Sequence, residues 1–315
     1  MVVKTLPVFG IALLLYLRLQ ASNYMAVKVS FLKTIFERMS SSPQVFEPLH
    51  RASFRQHIGL NYQELNKAEK VKLLNIEIDN LSKAEVLKNL KSGVVFTPNV
   101  DHLMKLQKDP DFLQAYRSAE YKLCDSQILI YASKFLGKRI KEKISGSDFF
   151  PSFYEYHKTN EEIKIFLLGA APGVAKEAQK KINAKVGRNI IVGSHSPSFG
   201  FENNEKECKE IVKIINNSEA TVLAVGLGAP KQEKWIYKYK DQLPNIKIFL
   251  AIGATIDFEA GKIRRAPKFI SDVGLEWLYR ILAEPKRLWK RYLIEDLPFF
   301  WLILQQKLNF YKNSG

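Results

Sequence analysis

The stretch Gly226-Leu-Gly-Ala-Pro-Lys-Gln232 follows a short apolar run, Thr221-Val-Leu-Ala-Val225, in a chain of 315 residues. A second stretch, Gly253-Ala-Thr-Ile-Asp257, follows the apolar run Lys247-Ile-Phe-Leu-Ala-Ile252 in the same way. Short apolar runs bounded by glycine are typical of buried strands, and ligands of open parallel sheets bind outside the carboxyl ends of the strands. A basic segment, Arg264-Arg-Ala-Pro267, comes next. The sequence therefore predicts a site for an anionic, nucleotide-bearing ligand at one edge of a sheet.

The pattern around these stretches alternates between strands and helices. Strands are predicted at 94–97, 121–124, 163–168 and 190–192, and helices at 128–136, 174–186 and 205–216. Asn99 is expected to begin a helix, and Asp109 is expected to cap another whose first residue is Pro110. Alternation over some 170 residues favours the α/β class, with a mostly parallel sheet covered by helices. The end of the chain predicts one or two amphipathic helices broken near Pro298.

Three regions differ in composition. Residues 1–66 form an N-terminal extension whose apolar segment, 6–17, is too short for a confident membrane-spanning helix. Residues 67–262 are predicted to be the α/β core. Residues 263–315 are predicted to be a basic, aromatic C-terminal appendage that associates with a membrane.

The charge of the chain supports an anionic partner. The sequence has 48 Lys and Arg against 32 Asp and Glu, a net charge of +16. Residues 262–291 concentrate the basic side chains together with Trp277, Tyr279 and Trp289, a combination that suits a membrane surface at least as well as nucleic acid. Cys124 and Cys208 lie far apart and form no disulfide or metal framework, so the cytoplasm is the expected compartment.

Polar and glycine residues at the predicted strand ends could surround a single ligand. They are Thr97, Asn99, Asp125, Gly169, Gly226, Gln232, Gly253 and Asp257. Asp125 directly follows a predicted strand, where an ionised carboxylate can act as a general base. The alternative is that Asp125 caps the next helix.

Other motifs narrow the range of functions that the sequence allows. The full G-x-G-x-x-G pattern is absent, because Lys231 stands where the third glycine would lie, and no Walker-type phosphate loop is present. Asp109-Pro-Asp111 has the spacing of a metal-binding Asp-x-Asp motif, but helix capping explains it well. The five histidines have no ligand spacing and are mostly expected at the surface or in loops. Two alternatives remain beside a nucleotide-sugar enzyme: a basic nucleic-acid-binding protein and a nicotinamide-dependent oxidoreductase.

Taken together, the motifs resemble the WecG/TagA/CpsF family of bacterial glycosyltransferases, glycosyltransferase family 26, over roughly residues 72–293. The resemblance rests on the following stretches: Thr97-Pro-Asn99, Asp125, Ser145-Gly-Ser-Asp148, Leu167-Leu-Gly-Ala170, Gly226-Leu-Gly-Ala-Pro-Lys-Gln-Glu233, Gly253-Ala-Thr-Ile-Asp257, Arg264-Arg-Ala-Pro267 and Gly274-Leu-Glu-Trp-Leu-Tyr-Arg280. It implies a Rossmann-like core and a metal-independent, inverting transferase without a cofactor. The implied reaction moves an N-acetylmannosamine-type sugar from UDP to a polyprenyl-diphosphate-linked N-acetylglucosamine at the inner face of the cell membrane, in cell-wall teichoic acid, common-antigen or capsule synthesis.

The resemblance also implies roles for individual residues. Asp125 would be the general base. Thr97, Asn99 and Gln232 would hold the donor, while Gly169, Gly226 and Asp257 would shape the nucleotide pocket. Arg280, Arg287 and Lys290 would lie over the diphosphates, and the aromatic cluster Phe299-Phe-Trp301 would sit on the bilayer with Trp289 and Tyr292.

The chain departs from the family pattern in two places. Lys143 stands where many members have Arg, which keeps the charge but loses bidentate geometry and puts the sugar or acceptor preference in doubt. Asp125 is followed by Ser126 where members commonly have Gly. A homo-oligomer is compatible with the resemblance, and nucleic acid is not an expected partner.

Overall fold

Six parallel strands form the central sheet of the protein. The computed structural model describes residues 69–263, 279 and 285–312, all within the compact unit Tyr62–Gly315. An antiparallel hairpin comes first, made of β1 (Lys70–Leu73) and β2 (Ile76–Asp79). The sheet strands are β3 (Gly93–Phe96), β4 (Tyr121–Lys122), β5 (Ile165–Gly169), β6 (Ile191–His195), β7 (Val222–Gly226) and β8 (Ile248–Ala251). Their order across the sheet is β4-β3-β8-β7-β5-β6.

Helices connect the strands and cover both faces of the sheet. In the core these are α1 (Lys83–Asn89), α2 (Val100–Leu106), α3 (Pro110–Ser118), α4 (Gln127–Phe135), α5 (Gly146–Tyr156), α6 (Val174–Val186), α7 (Glu205–Asn216), α8 (Lys231–Tyr239) and α9 (Thr255–Glu259). The C-terminal part has α10 (Pro285–Lys290), a π-helical turn (Arg291–Glu295) and α11 (Pro298–Lys307). The predicted α/β, Rossmann-like architecture of parallel strands and covering helices is confirmed.

Local capping explains where several helices begin. The Asn99 side chain accepts a hydrogen bond from the backbone N–H of His102, and Asp109 accepts one from Phe112 ahead of Pro110. Such side chains satisfy N–H groups that have no partner inside the helix. Both predicted helix starts are therefore confirmed.

The two faces of the sheet are covered by different helices. On one face, α1, α5, α6 and α9 pack on the strands, and the fully buried Phe150 and Phe153 of α5 belong to this core. On the other face α8 packs against α3, with Tyr116 and Trp235 buried. Burying one such large apolar side chain stabilises the fold by about 1.5–3 kcal/mol, so the helix layers on both faces stabilise the sheet.

The chain reverses direction across the sheet between β5 and β7. From β5 it moves outward to β6, whereas from β7 it moves the opposite way to β8, although β5 and β7 are hydrogen-bonded neighbours. Such a reversal is the topological switch point at which α/β proteins bind ligands. Gly169 and Gly226, which face each other in register, stand at this point.

Element boundaries differ from the predictions in a few places. β4 ends at Lys122 rather than at residue 124, and β6 extends to His195. The β1–β2 hairpin and α5 had no clear signal in the sequence, because the hairpin strands are four residues long and Pro151 interrupts the helical pattern of α5. The predicted break near Pro298 is present, since α11 begins at this residue. The N-terminal extension, 1–66, lies outside the described residues.

Candidate active site

The predicted strand-end residues line one edge of the sheet. Because all six strands are parallel, their carboxyl ends meet there, in the order Asp125, Thr97 to Asn99, Gly253, Gly226 and Gly169. Adjacent strands lie about 4.8 Å apart, which puts Gly226 roughly 14 Å and Gly169 roughly 19 Å from the Asp125 end of the row. One elongated ligand is therefore needed to contact the whole row.

Three glycines bring neighbouring strand ends into backbone contact. A Cβ atom added to Gly169 would lie 2.3 Å from the carbonyl oxygen of Gly226. A Cβ atom on Gly226 would in turn lie 2.7 Å from the carbonyl oxygen of Gly253 and 2.8 Å from the Ile256 side chain. No side chain fits at either position, so the edge is open backbone at the switch point, where a phosphate group can approach closely.

Asp125 lies at the far end of this edge. Its backbone N–H donates to the carbonyl of Pro98, so it is anchored beside the turn that carries Thr97 and Asn99. Ser126 caps α4, because its hydroxyl accepts the N–H of Ile128. The interpretation of Asp125 as the helix cap is therefore wrong by one residue. Asp125 itself is half-buried at the edge.

The turn after β3 places two more of the predicted residues. Thr97 is buried at the end of the strand, and Asn99 is half-buried at the start of α2. The Oδ1 atom of Asn99 is engaged in capping. Its amide group can thus offer a ligand its N–H donors more readily than its oxygen.

A loop crosses the edge in front of β4 and β8. The N–H of Ile144 donates to the carbonyl of Cys124 at 2.7 Å, which holds the neighbouring Lys143 near Asp125. Gly146 packs against the backbone of Ile252, where an added Cβ atom would lie 3.2 Å from its Cα atom. The N-terminus of α5, capped by Ser145, consequently opens at the same edge as the strand ends.

Gln232 joins two strand ends from the first turn of α8. Its Oε1 atom accepts the N–H of Gly253 at 3.2 Å, and its Nε2 atom donates to Oε1 of Glu233 at 2.8 Å. Both side chains are buried. Burial raises the pKa of Glu233 to about 7, and this carboxyl is the functional candidate that the sequence analysis missed.

A buried polar cluster extends behind Glu233. The Tyr116 hydroxyl lies 2.6 Å from Nδ1 of His102. Burial, followed by the nearby charges of Glu233, Asp125 and Asp101, raises the pKa of Tyr116 well above its usual value. Burial also lowers the pKa of His102 to about 3, so its ring is neutral. The expectation that most histidines lie at the surface is wrong for His102 and for His157, since both rings pack among aromatic neighbours.

Asp257 stands on α9, one turn beyond Gly253. It is half-buried, and burial raises the pKa of its carboxyl. Since α9 follows β8, this carboxyl stands beside the glycine row on the side of the sheet covered by α5 and α6.

The predicted basic clamp is described only in part. Arg280 and the side chain of Arg287 lie outside the described residues. Lys290 is exposed, and its ammonium lies 3.8 Å from Glu295. The described part of the C-terminal segment docks on the core, because Gln306 accepts the N–H of Leu74 and Tyr311 donates to Gln107.

The aromatic cluster at 299–301 divides between the core and the surface. Phe299 is fully buried, together with Ile303 one turn later. Trp301 is half exposed on another side of α11. The expectation that the whole cluster faces a bilayer is therefore wrong for Phe299, because the 3.6-residue period of the helix turns that ring inward.

The Asp109-Pro-Asp111 motif serves a structural role. Asp109 caps α3 and also receives the ammonium of Lys234 at 2.7 Å. Among the described residues, no three His, Cys, Asp or Glu side chains converge where they could bind a metal ion. No described helix is both long and apolar enough to span a bilayer.

Comparison with known families identifies the kind of protein that this edge belongs to. A sequence model described as "Glycosyl transferase WecG/TagA/CpsF family" matches residues 71–313, which is most of the chain. The match includes every strand of the sheet and every candidate residue at its edge.

Proposed function

Because the chain belongs to the WecG/TagA/CpsF family of glycosyltransferases, we propose that it transfers an N-acetylmannosamine-type sugar from UDP to a polyprenyl-diphosphate-linked N-acetylglucosamine. The family implies a glycosyltransferase of cell-surface polysaccharide synthesis that takes a nucleotide-sugar donor and a lipid-linked acceptor. Beyond what the family implies, we propose that the nucleotide is UDP, that the sugar is of the N-acetylmannosamine type and that the acceptor is a polyprenyl-diphosphate-linked N-acetylglucosamine.

The observation that carries the proposal is the position of Asp125. Its carboxylate stands at the edge that carries the glycine row, and Ser126 takes over the capping of α4. In the proposed step Asp125 accepts the proton of the acceptor hydroxyl. The acceptor oxygen then forms a bond to the anomeric carbon from the face opposite the diphosphate, and the bond from that carbon to the phosphate oxygen breaks. The bonding electrons leave with UDP, so the anomeric configuration inverts.

The donor would lie along the strand ends. Thr97, Asn99 and Lys143 surround the Asp125 end, where the sugar would be held, while Gly169, Gly226 and Asp257 shape the nucleotide pocket. Lys143 offers a point charge rather than a planar fork, so it would bind an oxygen of the donor or acceptor through one N–H group at a time. Gln232 would also bind the donor, and its Oε1 atom accepts the N–H of Gly253 at the same edge.

Charge that grows on the departing diphosphate needs a positive partner. Arg280, Arg287 and Lys290 are proposed to supply it, and in a site closed to water such preorganised charges contribute strongly to the rate. This arrangement needs no metal ion. The basic and aromatic C-terminal segment is proposed to rest on the inner face of the membrane beside the lipid acceptor.

Release of UDP tests the proposal directly. The protein is incubated with UDP-N-acetylmannosamine and a polyprenyl-diphosphate-N-acetylglucosamine mimic, with Asp125→Asn measured in parallel. We expect rapid UDP release from the unaltered protein and release slowed by about 10²–10⁴ in Asp125→Asn. Binding of NAD or of duplex DNA without any binding of UDP would instead favour the oxidoreductase or the nucleic-acid-binding alternative.

A further inference from the structure

A buried carboxyl without a complete set of partners lies directly behind the candidate site. Glu233 has no exposed surface. Its Oε1 atom accepts the Nε2–H of Gln232, whereas its Oε2 atom receives no hydrogen bond within the described part of the chain. An acid in such a place opposes folding, and an apolar side chain would be tolerated at least as well. Local rules of this kind are broken mainly at functional sites.

The contacts of Glu233 determine how the neighbouring amide is oriented. Gln232 accepts from Gly253 with its oxygen and donates to Glu233 with its nitrogen. If the amide turned over, its NH2 group would face the N–H of Gly253 and its oxygen would face the carboxyl group. An ionised carboxylate only accepts hydrogen bonds, so the flipped arrangement would lose both contacts whenever Glu233 is ionised.

One hydrogen on Nε2 of Gln232 remains after these two bonds. An amide has two N–H donors and two acceptor positions on its oxygen, and within the described part of the chain each side is used once. Gln232 lies in the first turn of α8, shortly after the turn that follows Gly226, and it accepts the N–H of Gly253, so this donor belongs to the edge where the strands end.

We propose that Glu233 is a positioning residue, which fixes the Gln232 amide so that its remaining N–H is presented to the sugar nucleotide. This inference rests on the proposed function, since it takes Gln232 to be a donor-binding residue. Glu233 itself touches no substrate in this scheme. Its effect on binding passes entirely through Gln232.

A purely structural role for Glu233 makes a different prediction. An acid in the first turn of a helix interacts favourably with the helix dipole, and Glu233 occupies that place in α8. If that were its whole contribution, removing the carboxyl would lower the unfolding temperature and leave substrate affinity unchanged.

The test is a double-variant cycle at positions 232 and 233. The affinity for UDP-N-acetylmannosamine is measured by isothermal titration for the unaltered protein, Gln232→Ala, Glu233→Met and the double variant. Lys234→Ala is the matched control, because Lys234 belongs to the same helix but pairs with Asp109 at the surface. Loss of one hydrogen bond predicts roughly five- to tenfold weaker binding for each single variant. The double variant should bind no more weakly than Gln232→Ala alone.

The outcomes distinguish failure of the proposed donor binding by Gln232 from failure of the proposed positioning role of Glu233. If the unaltered protein does not bind this sugar nucleotide, or if Gln232→Ala binds it normally, the donor or the role of Gln232 is wrong. If Gln232→Ala weakens binding and Glu233→Met does not, or if the two effects add, the positioning role alone is overturned.

A second variant covers the case in which Glu233→Met does not fold. Glu233→Gln has the same shape and can still accept through its oxygen, although its neutral amide makes a weaker contact and can itself turn over. We expect roughly two- to threefold weaker binding, between the values for the unaltered protein and Gln232→Ala. Unchanged affinity in a folded Glu233→Gln variant would overturn the proposal.

Discussion

The guanidinium of Arg291 lies 3.3 Å from the carboxylate of Asp101, a buried residue on α2. Lys105 also pairs with Asp101 at 2.7 Å, and Arg291 reaches Asp296 at 3.9 Å. Because α2 begins directly after Asn99, this ion cluster ties the C-terminal segment to the helix that leaves the candidate site. The segment that carries Lys290 is thus fixed to the part of the core that bears a proposed donor-binding residue.

Asp125→Asn is expected to lower the turnover number by about 10²–10⁴, the usual contribution of a general base. Affinity for UDP should be nearly unchanged, because the amide has the shape of the carboxyl but cannot accept the proton. Ser126→Ala is the matched control. It removes the cap of α4 and about 1 kcal/mol of stability, yet it should keep the rate. A normal rate in Asp125→Asn would exclude Asp125 as the base.

Gly226→Ala is expected to destabilise the protein and to weaken UDP binding. The new methyl group would collide with the Gly253 carbonyl and with Ile256, and overpacking of this kind typically costs about 1–3 kcal/mol. Gly187→Ala serves as a comparison, since its Cβ atom would meet nothing within 4 Å and only its positive φ is unfavourable. Thermal unfolding and UDP titration measure both effects. Equal UDP affinity in the two variants would show that the close approach at 226 is unrelated to the ligand.

Lys290→Met and Arg291→Met should separate function from stability. Lys290 is 67% exposed, so its loss should change stability by less than about 1 kcal/mol while lowering the rate with the lipid acceptor. Arg291→Met removes one of the two cations that pair with Asp101 among the described residues. We expect a loss of about 1–3 kcal/mol, below the range for fully buried pairs because Arg291 is partly exposed. Chemical unfolding and UDP release measure the two effects. An unchanged rate in Lys290→Met would remove it from the proposed clamp.

The pH dependence of stability should change in Glu233→Gln. Burial raises the pKa of Glu233 from 4.5 to about 7, so between these values the unfolded chain releases a proton that the folded chain keeps. Glu233 therefore makes the free energy of unfolding fall as the pH rises, by about 1.4 kcal/mol per pH unit at most. His102, whose pKa is lowered to about 3, makes the free energy of unfolding rise with pH below pH 6.5. The effect of Glu233 is therefore measured as the difference between Glu233→Gln and the unaltered protein, in which the contribution of His102 cancels.

Relative to the unaltered protein, Glu233→Gln should gain stability as the pH is raised from 4.5 to 7. Unfolding by urea at several pH values measures this gain. Glu85→Gln is the control, because the pKa of Glu85 is lowered and its contribution is lost only as the pH falls below its ordinary value. A constant difference between Glu233→Gln and the unaltered protein over this pH range would contradict the prediction.

Trp301→Ala tests the proposed contact with the membrane. Trp301 is 51% exposed on α11, and burial of an aromatic side chain is worth about 1.5–3 kcal/mol, so binding to anionic phospholipid vesicles should weaken by roughly tenfold or more. Tyr156→Ala is the matched control, since Tyr156 is a similarly exposed aromatic residue on α5. Co-sedimentation with vesicles measures both. Equal losses in the two variants would argue against a contact specific to the C-terminal segment.

The parts of the site that follow local rules could be predicted from the sequence. Asn99 and Asp109 indicate helix starts, because their side chains cap the helices that follow. The glycines at 169, 226 and 253 indicate strand ends, because each follows a short apolar run. Asp125 lies at the edge, as the sequence predicts, but its neighbour Ser126 is the cap, and the sequence does not distinguish the two because either side chain can cap a helix.

The parts that depend on distant packing could not be predicted. Glu233, Tyr116 and Asp101 belong to three different helices, and the packing of α3 against both α8 and α2 brings their charges close enough to influence one another. In the sequence Glu233 is an ordinary acid near the start of a helix. Likewise, Phe299 and Trp301 are equivalent members of an aromatic run until the docking of α11 buries one and exposes the other.

The backbone contacts at Gly169, Gly226 and Gly253 restrict how this enzyme can be altered. Substitution at Gly169 or Gly226 cannot narrow or recharge this part of the edge, because a side chain added at either position would push neighbouring strands apart. If the proposed function is correct, efforts to redirect the enzyme to another sugar would instead change the residues around Asn99, Lys143 and Asp257.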